Sequence, residues 1–186
     1  MSEAHKRTML PEEFLAWEAR QEQKWEFDGF RPVAMVSSSD AHAAIQGNTI
    51  TSLNNRLRAT PCRVRGPETK VQTGQSYRYP DALVSCTPVA PRSMVAIGPI
   101  VIFDVLSDST AETDRTDKLR EYTALPSVQH YVMLEQNRAY VTVITRMVTG
   151  WVLEVLDQTG TISLPQIEIS IPVSEIYEGL AFPSDT

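Results

Sequence analysis

The sequence predicts an α/β domain in which a central mixed β-sheet is flanked by α-helices, with an additional antiparallel hairpin. Three observations carry this reading. Stretches with helical spacing stand near the front and in the middle, a strand-rich centre separates them, and strands return after the second long helix. The 186 residues suit one domain, residues 1–186, and neither an internal repeat nor a linker divides them.

The segment PEEFLAWEARQEQKWEF opens with Pro11 at a first helical position and acidic residues in the first turn, with Phe14, Leu15 and Trp17 at helical spacing. It predicts a short N-terminal helix. WEFDGFRPVAM sets an Asp-Gly pair between two strand-like runs, a strong local hairpin signal, and places Glu26 on its first strand. In SSSDAHAAIQGNTITSLNNRLRA, Asp40 or a neighbouring serine caps a helix whose stripe is Ile45, Thr49, Leu53 and Leu57. CRVRG, KVQTG and YRYPDALV read as short strands punctuated by Gly and Pro. PIVIFDVL is a continuous apolar run, the pattern of a strand buried on both faces. STAETDRTDKLREYTAL predicts a helix opened by Ser or Thr caps, closed before Pro126, with Leu119 and Tyr122 inward. QHYVMLEQ, AYVTVITR and GWVLEVLD are strands, the last two joined as a hairpin, and PVSEIYEGL is a final helical turn.

Composition narrows the function. The chain is 42% hydrophobic and 22% charged, as globular proteins are, and no segment reaches the roughly 20 apolar residues of a membrane span. The charged N-terminus lacks an apolar segment of the signal-peptide kind, so a cytoplasmic location is expected. Cys62 and Cys86 have neither CxxC spacing nor nearby histidines, and reduced, partly buried thiols are expected. The net charge of −6 argues against broad electrostatic coating of nucleic acid but leaves room for a local basic groove.

The chemistry centres on Asp104, a carboxylate inside an apolar strand. Such a group needs a partner, because burying an uncompensated charge is costly. Asp81 closes YRYPD on the preceding strand, and if the two strands are neighbours both carboxylates converge. Converging carboxylates are protonated or hold a cation, and hard oxygen ligands select a hard ion such as Mg2+. Lys118, next to the inward-facing Leu119, can reach the same place and stabilise charge on phosphorus.

These residues resemble the PD-(D/E)XK, or restriction endonuclease-like, superfamily. More narrowly, EEFLAWE, WEFDG, AHAAIQGNTITSLNNRL, YPDALV, IVIFDVLSDSTAETDRTDKLREY and VQHYVMLE, in that order, resemble a bacterial branch of restriction endonuclease-like proteins of uncertain role. The superfamily's lysine usually stands two residues after the second acid, where this sequence has Leu106. In the branch it moves to the next helix, which makes Lys118 the candidate. The second acid, usually glutamate in the branch, is here Asp104. The resemblance implies Mg2+, or Mn2+, held by Asp81, Asp104, the Val105 main-chain carbonyl and Glu26, with DNA as substrate. His42 matches a helix histidine near the active-site mouth. Restriction-like enzymes often dimerise, so a homodimer is expected, and the C-terminal hairpin offers an edge for pairing.

Each residue also has a structural reading. Asp104 can pair with a buried arginine, Asp81 can be an ordinary turn residue after Pro80, and Lys118 can pair with Asp114 or Glu121 at helical spacing. Glu26 can face solvent and His42 can serve as a surface or capping residue. Arg56, Arg58, Arg63 and Arg65 form either a phosphate-contacting edge or a solvated rim. The expected activity is metal-dependent phosphodiester hydrolysis; the alternative is an inactive nuclease-like module that binds nucleic acid or a protein partner.

Overall fold

The computed structural model describes residues 9–35, 38–107 and 111–182. Helix α1 (Pro11–Glu18) leads into the hairpin β1 (Trp25–Phe27) and β2 (Pro32–Ala34), turned at Gly29, whose φ of 93° favours glycine. Helix α2 (Asp40–Leu57) starts at Ser39, whose side chain accepts the His42 amide at 3.1 Å. Its predicted stripe of Ile45, Thr49, Leu53 and Leu57 is buried. Four short strands follow: β3 (Arg63–Arg65), β4 (Val71–Thr73), β5 (Ser76–Arg78) and β6 (Ala82–Ser85). The long strand β7 (Pro99–Leu106) comes next.

Helix α3 (Ala111–Thr113) runs through a π turn (Asp114–Lys118) into α4 (Leu119–Ala124). The residues proposed to cap this helix, Ser109 and Thr110, lie outside the described residues. The chain then forms β8 (His130–Glu135), β9 (Val141–Met147) and β10 (Gly150–Leu156), and a hairpin that the sequence reading did not assign, β11 (Thr161–Leu164) with β12 (Ile169–Pro172). Helix α5 (Val173–Ile176) closes it.

The main sheet has the order β10-β9-β8-β7-β6-β3. Only β7 and β8 run parallel, joined by the α3–α4 crossover; the other neighbours are antiparallel, so the sheet is mixed as expected. A smaller sheet has the order β2-β1-β5-β4.

Alternation along β7 divides the core. Val101, Phe103 and Val105 join Ile45, Leu53 and Ile162 in one cluster, while Ile102 and Leu106 join Tyr122 and Tyr131 in the other. Asp104 shares the second face by its parity. A third cluster, Phe14, Phe27 and Tyr77, fixes α1 on the small sheet, with Phe14 and Phe27 stacked at 5.0 Å.

The cysteines differ from expectation: Cys62 and Cys86 form a disulfide. The cause is register. Arg63 pairs with Ser85, so the residues just outside that pair meet across β3 and β6, a neighbourhood that sequence spacing does not reveal. Among the described residues no helix is long and apolar enough to cross a membrane.

Candidate active site

Strand pairing assembles the two aspartates. Ala82 is opposite Phe103, so Asp81, one residue before β6, arrives beside Asp104. Asp81 Oδ2 accepts the Val105 amide at 2.7 Å, which ties the end of β6 to β7. The Val105 carbonyl leaves the strand on the same side as its amide and therefore also faces Asp81. The other oxygen, Oδ1, accepts Gln46 Nε2 at 2.6 Å and stands 2.8 Å from His42 Nε2. His42 and Gln46 are one helical turn apart on α2, so a single face of that helix presents both to Asp81. Against an ionised carboxylate His42 Nε2 is the donor; among the described residues its buried Nδ1 has no hydrogen-bond partner.

Asp104 is 1% exposed. Its Oδ2 accepts the Tyr131 hydroxyl at 2.8 Å from β8, and its Oδ1 is 3.8 Å from Lys118 Nζ. Lys118 ends the π turn and projects inward, with Nζ also 3.3 Å from Glu26 Oε1. Glu26, on β1, accepts the Tyr79 amide at 3.1 Å through Oε1 and Arg78 at 3.2 Å through Oε2. Arg78 grips Glu121 of α4 with two bonds, 2.7 Å and 2.8 Å, and Thr73 adds a third donor to Glu121 at 3.1 Å. Burial alone pulls the Arg78 guanidinium down, but its bonds to Glu121 and Glu26 and the charges of both hold it above the ordinary arginine value.

Of the predicted residues, Asp104, Lys118 and Glu26 form one chain of polar contacts, and Asp81 with His42 joins it through the Val105 amide, next to Asp104 in the strand. Glu26 differs from the expected ligand set, since it reaches the site through Lys118 and Arg78. Among the described residues no group of three or more His, Cys, Asp or Glu side chains is placed to hold a metal ion. The oxygen set that fits a hard cation is two carboxylates and one carbonyl. That suits Mg2+, which commonly takes one or two protein carboxylates and completes its shell with water and substrate oxygens.

The arginines divide. Arg56 is bound to Glu175 at 2.7 Å and to the Ser170 carbonyl at 2.8 Å, and the Glu175 hydrogen bonds hold its pKa up. It locks α2 to α5. Arg58 bonds Asn55 at 3.1 Å, and Arg63 bonds the Thr60 and Cys62 carbonyls; both line a surface groove with Asn54. Arg65 pairs with Leu83, two residues along β6 from Asp81, so by register it stands nearest the site.

Four members were not predicted. Gln46 was accessible from its spacing of one turn after His42. Tyr131 and Arg78 gave no local signal, because each meets the site through tertiary pairing, and Glu121, which helical spacing offered as a partner for Lys118, bonds Arg78.

The comparisons agree with this architecture. A sequence of Synechocystis sp. (strain ATCC 27184 / PCC 6803 / Kazusa), the uncharacterized protein slr1290, is 32% identical over 178 residues, covering 94% of each chain. The crystal structure of a putative nuclease belonging to DUF820 from Anabaena variabilis superposes with a TM-score of 0.75 at 18% identity, covering 91% of this chain and 97% of that one. That likeness concerns the fold, which is restriction endonuclease-like. Residues 11–174 match the profile of the Uma2 family, described as "Putative restriction endonuclease", and the chain belongs to that family.

Proposed function

We propose that this protein is a Mg2+-dependent endonuclease, with Mn2+ as a substitute ion, that hydrolyses phosphodiester bonds in DNA. The observation that carries the proposal is charge. Among the described residues three carboxylates, Asp104, Glu26 and Glu121, face two cations, Lys118 and Arg78, and a fourth, Asp81, faces His42 and Gln46. A buried excess of negative charge is stable when a divalent ion compensates it.

Asp81, Asp104 and the Val105 carbonyl would hold the ion. When bound, it supplies Lewis-acid activation of water and neutralises phosphate charge. His42 and Gln46 orient Asp81, and Tyr131 orients Asp104, so both carboxylates are fixed before substrate arrives. Lys118 brings an ammonium beside Asp104, where charge accumulates on the phosphate oxygens during in-line attack. Glu26 and Arg78 hold Lys118 and α4 in place. Arg65 and Arg63 extend positive charge from the Asp81 end of β6 along β3, a course suited to a phosphate backbone.

The Lys118–Asp104 ion pair also favours a second reading, an inactive module that retains the fold, because a cation already neutralises one carboxylate. Calorimetric titration of Mg2+ and Mn2+ into the wild-type protein and Asp104→Ala, followed by incubation with plasmid DNA, separates the two. The nuclease reading expects binding that vanishes in Asp104→Ala, with metal-dependent nicking by the wild type alone. An absence of metal binding to the wild type supports the inactive module.

A further inference from the structure

The two edges of the main sheet are unlike. At one edge β3 is three residues long, bears Arg63 and Arg65, and is stapled to β6 through Cys62 and Cys86. Short length and charge are ordinary protections of an edge. At the other edge β10 pairs with β9 over all seven of its residues, and among the described residues no strand pairs with its remaining side. Among the described residues eleven large apolar side chains are exposed, and five of them, Met147, Val148, Val152, Leu153 and Val155, fall within nine residues here. Glu154 is the single charge from 147 to 156. Such a concentration marks an interface.

The backbone fixes which groups are available. The two-residue loop Val148–Thr149 makes Met147 and Gly150 a hydrogen-bonded pair, and the bonding alternates from there. The amides and carbonyls of Trp151, Leu153 and Val155 therefore point away from β9.

We propose that a second copy of this chain occupies this edge, pairing β10 with β10 antiparallel across a two-fold axis at Leu153. The register is self-complementary. Leu153 meets its own copy, and Trp151 meets Val155 of the second copy, so every outward amide and carbonyl of the three residues is paired. On that face the contact is wholly apolar. On the other face Glu154 meets Val152, and the two Glu154 carboxylates are never directly opposed, as a symmetric contact requires if it is to avoid like-charge repulsion. The proposal is independent of the catalytic reading.

Sedimentation at micromolar concentration tests it. The wild-type protein is expected as a dimer. Leu153→Lys and Leu153→Glu, both at an exposed position, are each expected as monomers of half that mass with unchanged circular dichroism, and mixing the two is expected to restore the dimer. Leu153→Cys, which adds no charge, is expected to form an interchain disulfide on oxidation. A monomeric wild-type protein, a dimer that survives both charged substitutions, or a Leu153→Cys protein that does not cross-link overturns the proposal.

Discussion

Lys118 stands between two carboxylates, 3.3 Å from Glu26 and 3.8 Å from Asp104, and is buried with both. It is therefore held by one acid and aimed at the other. Replacing it with methionine keeps much of its volume and removes the charge. On the endonuclease reading, Lys118→Met lowers the plasmid nicking rate about 100- to 1,000-fold, the usual loss for one transition-state donor, while calorimetry still detects Mg2+ binding. Loss of metal binding together with nicking would instead make Lys118 part of the ion's own site.

Arg78 joins the small sheet to α4 through Glu121 and steadies Glu26. Arg78→Met leaves the buried Glu26 and the part-buried Glu121 short of a cation, a loss of about 3–5 kcal/mol by comparison with broken buried pairs. For a chain of this size that lowers Tm by on the order of 10 °C, measurable by differential scanning calorimetry. The double variant Arg78→Met with Glu121→Met is expected to be less damaged than the sum of the two single variants, since neither partner then remains unpaired.

The disulfide links residues separated by 24 in sequence. Closing a loop of that length in the unfolded chain stabilises the fold by about 3 kcal/mol. Urea denaturation with and without reductant measures this difference, and Cys62→Ser with Cys86→Ser is expected to reproduce the reduced value. Thiol titration of the denatured, unreduced protein is expected to find no free cysteine.

His130 sets a pH dependence. It is 1% exposed, with Nε2 donating to Gln166 Oε1 and Nδ1 accepting the Thr145 hydroxyl at 3.1 Å. Burial holds its pKa below the ordinary 6.5, against a smaller opposing effect of Gln166. Below that pH the unfolded chain takes up a proton that the folded chain refuses. Stability contributed by His130 is therefore complete above pH 6.5 and falls as the pH drops, by up to about 1.4 kcal/mol per pH unit. The difference between wild type and His130→Gln, followed by urea denaturation across pH 5 to 8, is expected to narrow as the pH falls and stay constant above 6.5.

The order of helices and strands was legible because apolar spacing is strong in α2 and β7. Asp104 announced itself as a charge in an apolar run, and Asp81 and Lys118 followed from needing to reach it. What stayed hidden depends on pairing across distance. Arg78 sits in a strand whose three residues are all buried, which its polar sequence conceals. Cys62 and Cys86 meet only through the register of β3 and β6. The hairpin of β11 and β12 did leave a trace, since Ile162 and Leu164 are buried in alternation with exposed Thr161 and Ser163.

The helix between β7 and β8 reads in sequence as one uninterrupted α-helix, yet Asp114–Lys118 is wound as a π turn. A π turn contains one residue more than an α turn, and each residue of an α-helix advances the side chains by about 100°. A chain shortened by one residue here, for instance at Thr116, would satisfy its helix more simply and swing the ammonium away from Asp104. On the endonuclease reading, such a deletion is expected to fold, by circular dichroism, and to fail to nick DNA. The aim of the lysine is thus written in the local length of the chain as much as in its chemistry, so point substitutions and single-residue deletions probe it in different ways.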